Sequence, residues 1–308
     1  MATTNIEWVR NHDGTRGNTW NPVTGCTPIS QGCAHCYAAR MAKRLAGRYG
    51  YPADEPFRVT LHADRLQEPL RWKKPRRVFV ASMGDLFHDA VPFDFIDRVW
   101  SRFYDCPQHT FLVLTKRPAR MRQWLVDELH DWRPLPNVWL GVTAENQVRA
   151  DERVPVLLDT PAAVRFVSIE PLLERVDPRD LPLDSKTYVN ALTGRQRYAG
   201  AISGFSSSTG THLSWIIAGG ETGPGARPMH PDWARALRDQ CQNAGVPFFF
   251  KSWGDWAEVR TLTPEITERF ARAHHGYSDG TLMFRVGKKR AGRTLDGRTW
   301  DQLPEVRV

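Results

Sequence analysis

Short apolar runs alternate with amphipathic stretches along most of this chain. After a polar, turn-rich opening anchored by Trp8 and Trp20, residues 19–25 read as a short strand. A helix then starts at Tyr37, where Tyr37, Met41 and Leu45 recur every four residues and Gly47 or Gly50 supplies a stop. Strand and helix follow in turn: a strand at 57–62, a helix at 63–73, and a strand at 77–83. Pro92 opens a helix with Phe95, Ile96, Val99 and Phe103 on one side. The run at 110–115 predicts a strand, followed by a helix carrying Met121, Leu125 and Leu129. Further strands are predicted at 137–143, 164–169, 213–218 and 247–250. A helix at 231–244, with Trp233, Leu237 and Cys241 four apart, is closed by Gly245. The strands are continuous apolar runs, as strands buried on both faces are. Strands alternating with helices predict a parallel sheet, and six or seven such units favour a full or partial β/α barrel over an open sheet.

Two regions break the alternation. Residues 175–213 read as a loop-rich insertion, a candidate lid over a substrate, with a Gly/Ser run at 204–210. Residues 257–308 read as an appended C-terminal segment on a barrel of 1–256. It carries a strand at 281–286 and the basic stretch Lys288, Lys289, Arg290 and Arg293 near Trp300.

Polar residues collect directly after the strands: Ser82 and Asp85, Thr115 and Lys116, Thr143 and Glu145, Glu170, Glu221, and Lys251. In a barrel these ends share one rim, where sites are built. Any one of them alone is better read as a helix cap or loop charge. The 219–225 glycine run could cradle a phosphate, but it lacks the Lys-Ser/Thr ending of a P-loop.

The densest chemistry is Cys26-Thr-Pro-Ile-Ser-Gln-Gly-Cys33-Ala-His-Cys36-Tyr37, which holds three of the five cysteines. Thiolates at such spacing can converge on one centre, either zinc or an iron–sulfur cluster. A protein-only zinc site wants four ligands, and His35 is the single local fourth candidate. Three cysteines alone suggest an iron–sulfur cluster with one iron left open. Cys106 and Cys241 read as structural. The odd, clustered cysteine count suits a reduced cytoplasm better than a disulfide framework. No run of eighteen apolar residues is present, which argues against a membrane span. A net charge of +8 is compatible with a polyanionic partner such as nucleic acid.

The cysteine loop at the end of a first strand resembles the radical S-adenosylmethionine (SAM) superfamily. Its usual gaps are three residues then two, whereas this chain has six then two; the aromatic Tyr37 after the third cysteine matches. The whole chain is similar to a phage and prophage family of three-cysteine proteins. The matching stretches are Asn5-Ile-Glu-Trp8, Trp20-Asn-Pro-Val-Thr-Gly-Cys26, Ser82-Met-Gly-Asp-Leu-Phe-His88, Ser168-Ile-Glu-Pro-Leu172, Gly219-Gly-Glu221, Lys251-Ser-Trp-Gly254 and Leu295-Asp-Gly-Arg-Thr-Trp300. The stretch from 57 to 85 also resembles the spore photoproduct lyase branch, where an aspartate follows the second barrel strand.

The resemblance implies a barrel of the radical SAM type. Cys26, Cys33 and Cys36 would hold a [4Fe–4S] cluster whose open iron chelates SAM. One electron from a donor would cleave SAM to methionine and a 5′-deoxyadenosyl radical. Asp85 would accept from the SAM ammonium, Tyr37 would lie near the adenine, and Ser82 would join the cofactor site. Thr143, Glu145 and Glu170 would serve the ribose and sulfonium region. Lys116 and Lys251 would meet substrate phosphate or deliver protons. The substrate expectation is DNA or RNA, gripped through Lys288, Lys289, Arg290 and Arg293. Two other readings stand beside it: a zinc-stabilised nucleic-acid-binding protein without catalysis, and an enzyme whose cluster is purely structural.

Overall fold

The computed structural model describes residues 2–128, 133–199, 207–208 and 210–305. It divides into two compact units. The first holds residues 1–143 and 156–166, and the second holds 144–155 and 167–307.

The first unit contains strands β1 (Ala2–Thr3), β2 (Asn18–Trp20), β3 (Val23–Thr24), β4 (Thr60–Leu61), β5 (Arg77–Val80), β6 (Thr110–Thr115) and β7 (Val138–Thr143). β2, β5, β6 and β7 pair in parallel in that order, and β1 adds an antiparallel edge. Every residue of β7 is buried, as its unbroken apolar run predicts. Helix α1 (Tyr37–Leu45) precedes β4, α2 (Phe93–Asp105) joins β5 to β6, and α3 (Pro118–Gln123) follows β6. The expected stripe of α2 is its buried face, and Phe103 packs on Phe111 of β6 with ring centroids 4.5 Å apart. Trp8 and Trp20 are both buried anchors.

The structure corrects several sequence expectations here. In α1 the buried residues are Ala38 and Ala42, while Tyr37 is 61% exposed. The helix turns its small residues inward, so the large-residue stripe pointed to the wrong face. The 57–62 strand shortens to β4, and the 63–73 helix is two 3₁₀ turns, Ala63–Gln67 and Pro69–Arg71, divided at Pro69. After α3 the chain continues as a π-helical turn, Trp124–Glu128; Leu129 lies outside the described residues.

Helix α4 (Gln147–Leu158) and strand β8 (Val164–Ile169) are divided between the units. The sequence reading contained no helix at α4. Buried Ala150, Val154, Leu157 and Leu158 have helical spacing, but Pro155 sits among them and reads as a breaker.

In the second unit, the described residues of 175–213 include sheet as well as loop. They hold β9 (Leu181–Pro182), β10 (Thr187–Asn190), β11 (Arg195–Tyr198) and β12 (Ser207–Ser208) in an antiparallel sheet of order β12-β11-β10-β9. Val176, Leu181, Val189 and Leu192 are buried beneath it. Most of the 204–210 Gly/Ser run lies outside the described residues. Strands β13 (Trp215–Gly219) and β14 (Phe248–Ser252) pair in parallel across α5 (Pro231–Ala244), which ends on Gly245 in the left-handed conformation. The C-terminal residues belong to this unit. β15 (Trp256–Glu258), β16 (His274–Gly276) and β17 (Leu282–Arg285) form a three-stranded sheet of order β15-β17-β16, with α6 (Pro264–Arg269) between β15 and β16. After the short helix α7 (Lys288–Ala291), Asp301 bridges Phe249 of β14 and Phe250 N–H donates to Trp300 O. Within each unit the parallel strands follow chain order, β2-β5-β6-β7 in the first and β13-β14 in the second. This is a mixed α/β fold whose parallel strands follow chain order, consistent with a partial β/α barrel.

Candidate metal centre

The cysteine loop is launched by a close backbone contact. Gly25 has φ +85° and bridges Gly84 in parallel, and its N–H donates to Met83 O. A Cβ on Gly25 would lie 2.2 Å from Arg58 O, so no side chain fits. Cys26 N–H then donates to Phe57 O at 3.2 Å. A 3₁₀ turn, Gln31–Cys33, places the second cysteine, and Cys36 N–H donates to Cys33 O before α1 begins. All three thiols are free and half-buried.

Arg117, at the end of β6, faces Cys26. Its Nη1 donates to Cys26 Sγ at 3.3 Å and to Asp85 Oδ2 at 3.4 Å. Its Nη2 donates to Thr27 O at 3.2 Å and to Thr27 Oγ1 at 3.0 Å. Asp85 is buried and accepts twice on each oxygen. Oδ1 takes the Thr115 hydroxyl at 2.7 Å and Phe87 N–H at 3.0 Å, and Oδ2 takes Lys116 N–H at 3.2 Å and Arg117. Asp85 therefore does cap a local turn, through Phe87 N–H, although Pro92 lies too far on for it to cap α2. His88 Nδ1 accepts from Ala90 N–H at 3.0 Å, which leaves the proton on Nε2 to donate to Thr27 Oγ1 at 2.9 Å.

These contacts set the thiol electrostatics. Burial and the Asp85 charge push the Cys26 thiol up, against the opposing pull of Arg117. Burial also raises Cys33, but backbone donors at Ile29 and Ser30 and the Lys116 charge outweigh it, and that thiol ends below its ordinary value. The sulfurs of Cys26, Cys33 and Cys36 do not all lie within 4.8 Å of one another.

The other expected site residues divide between the units. In the first, Lys116 lies beside Cys33 by charge and beside Asp85 through its N–H. Ser82 donates to Asn21 Oδ1 at 3.1 Å, Thr143 is buried at the end of β7, and Tyr37 is exposed. In the second, Lys251 Nζ meets Glu170 Oε1 at 2.9 Å, and Ser168 donates to Glu170 Oε2 at 3.2 Å. Glu145 is fully buried and pairs with Arg153 at 3.1 Å. Glu221 holds Arg227 through both oxygens. Within the 219–225 run Gly220 serves backbone packing: a Cβ there would lie 2.1 Å from Trp253 O, and one on the facing Gly254 would lie 2.2 Å from Glu221 O.

In the C-terminal segment Lys288, Lys289 and Arg290 are exposed, but Arg293 pairs with Asp301. Trp300 is buried under Arg298, 3.9 Å from the ring centroid, so this indole presents no open face for a base. His230, Asp232 and Asp279 also cluster in the second unit. There His230 Nδ1 caps α5 by accepting Asp232 N–H, so Nε2 carries the proton and donates to Asp279 at 3.0 Å. That ring has no lone pair left for an ion, and the cluster is a helix cap.

Sequence reasoning missed Arg117, Thr27 and His88. Arg117 follows Lys116 at a strand end and looks like an ordinary loop charge; only the turn at Thr115 aims it back at Cys26. A family described as "Protein of unknown function (DUF5131)" matches residues 3–304. No curated protein and no solved structure matches the chain.

Proposed function

We propose, from the premise that the chain belongs to the DUF5131 family, that it is a radical SAM-like enzyme whose Cys26, Cys33 and Cys36 hold a [4Fe–4S] cluster. The observation that carries this reading is the loop itself. Three free, half-buried thiols lie on one short loop, with the charges of Arg117 and Lys116 set against two of them. Cationic groups offset the negative charge that deprotonated cysteines bring to a partly dry site. Bound there, the cluster and SAM would supply a one-electron cleavage that yields methionine and a 5′-deoxyadenosyl radical.

The chain's own residues would build and hold that site. Gly25 and Gly84 bring two backbones together and fix where Cys26 emerges. The 3₁₀ turn and the start of α1 fix Cys33 and Cys36. Asp85 has all four of its acceptor positions in use, so it serves the loop by holding Arg117 and the Lys116 backbone rather than by meeting SAM directly.

The test is anaerobic reconstitution of the wild type and single Cys→Ala variants. The wild type should turn brown with iron and sulfide, and Cys26→Ala, Cys33→Ala and Cys36→Ala should each lose most of both. Cys106→Ala and Cys241→Ala should keep full iron, because both side chains are buried elsewhere in the fold. A colourless wild type that binds zinc, or iron loss in either control, would overturn the assignment.

A further inference from the structure

The first cysteine has a different problem from the other two. Cys33 and Cys36 are separated by two residues and locked by a 3₁₀ turn running into α1. Cys26 lies six residues upstream across Thr27, Pro28 and Ile29, all of which are exposed. Its backbone is tied at one point, to Phe57 O. Beyond that point the stretch is fixed by Arg117, with His88 also holding the Thr27 hydroxyl. One arm of the guanidinium reaches Cys26 Sγ, and the other grips Thr27 at both its carbonyl and its hydroxyl.

That guanidinium is itself immobilised. Asp85 holds it from behind, Arg117 N–H donates to Thr115 Oγ1 at 2.9 Å, and its side chain is 8% exposed. A charge buried this deeply needs anionic partners. In direct contact the structure gives it the carboxylate of Asp85 and the Cys26 sulfur, with Asp89 acting on it by charge.

We infer that Arg117 positions Cys26 as a cluster ligand and raises the reduction potential of the cluster it helps hold. The inference rests on the metal reading above. A fixed positive charge and an N–H donated to a ligand sulfur both stabilise the more negative, reduced state over the oxidised one, and hydrogen bonds to sulfur are a known lever on cluster potential. Because the clamp also ties the long loop, it slows the escape of Cys26 from the metal. Arg117 does not contact a reacting atom; it acts through Cys26.

The experiment uses full-length protein reconstituted anaerobically with iron and sulfide: wild type, Arg117→Met and Arg117→Lys. Two quantities are read, the midpoint potential by redox titration and the rate of iron release to a chelator. Arg117→Met should shift the midpoint to more negative potential and release iron roughly ten times faster, as loss of an outer partner of a metal ligand typically costs tenfold or more. Arg117→Lys keeps the charge but not the fork, so its midpoint should fall between the two while iron release still quickens. A purely structural role for Arg117 would change iron retention without moving the midpoint, and that result would overturn the inference. If Arg117→Met does not fold, Arg117→Lys decides: wild-type midpoint and wild-type iron release together would overturn it. A wild type that takes up no iron would overturn the metal reading, and this inference with it. A wild type that takes up iron, beside variants with an unmoved midpoint, would overturn this inference alone.

Discussion

Asp85→Asn should be among the most damaging isosteric substitutions in the first unit, and its cost follows from the bonds it breaks. The carboxylate accepts from Thr115, Phe87, Lys116 and Arg117. An amide retains one acceptor oxygen. With that oxygen toward Thr115 and Phe87, its NH₂ group faces the N–H of Lys116 and the guanidinium of Arg117, two donors against a donor. Flipping the amide only moves the clash to Phe87 N–H. Two lost hydrogen bonds are worth about 2 kcal/mol, and a buried arginine deprived of its carboxylate costs about 3–5 kcal/mol. The two overlap, so about 3–4 kcal/mol is expected. Urea unfolding of metal-free protein at pH 7 measures it, in a cycle with Arg117→Met. Once Arg117 is gone the unpaired charge is gone, so the double variant should be about 1–3 kcal/mol more stable than the sum of the singles predicts. A loss below about 1 kcal/mol for Asp85→Asn, or simple additivity, would refute the reasoning.

Three further expectations concern the frame around the site. Gly220→Ala drives a Cβ into the Trp253 backbone carbonyl and should cost about 3 kcal/mol or more in thermal or urea unfolding, whereas Gly276→Ala, which meets only the end of Leu282 at 3.4 Å, should be close to neutral. Glu145→Gln leaves Arg153, 1% exposed, facing a neutral partner and should destabilise by about 3 kcal/mol; a loss under about 1 kcal/mol would show that the pair is not needed. His62 hydrogen-bonds Thr24 Oγ1 at 2.8 Å, and burial, then the Arg65 charge, lower its pKa from 6.5 to about 4. The unfolded chain therefore takes up the proton first: this stability is fully present above pH 6.5 and is lost as pH falls through 4, by about 3 kcal/mol. His62→Gln should flatten that part of the stability–pH curve, and an unchanged curve would rule His62 out as its source.

The strands were legible because both of their faces are largely buried: β7 is buried throughout, and β6 and β8 at all but two positions and one position, respectively. The helix α5 was read to its end residues because Pro231 starts it and Gly245 stops it. The same logic failed where small residues face inward, as Ala38 and Ala42 do in α1, and where Pro155 sits inside a continuing helix. The 175–213 segment hid because its short strands carry polar, charged residues on a half-exposed sheet. The three-cysteine loop was visible in its spacing, but the Arg117 contact with it was not. Arg117 is separated from Cys26 by 91 positions, and it takes the parallel pairing of β2 with β5, the Gly25–Gly84 bridge and the pairing of β5 with β6 to bring them together.

The central claim is that the three-cysteine loop holds a SAM-cleaving cluster, and the most direct measurement is single-turnover reduction of the reconstituted wild type with SAM. Iron and sulfide are assayed in the same sample, and 5′-deoxyadenosine is followed by chromatography. About four irons and four sulfides per chain, with 5′-deoxyadenosine formed in the wild type and absent in Cys33→Ala, is the predicted result. A fully loaded wild type that forms no 5′-deoxyadenosine from SAM, or one that loads only zinc, would contradict it.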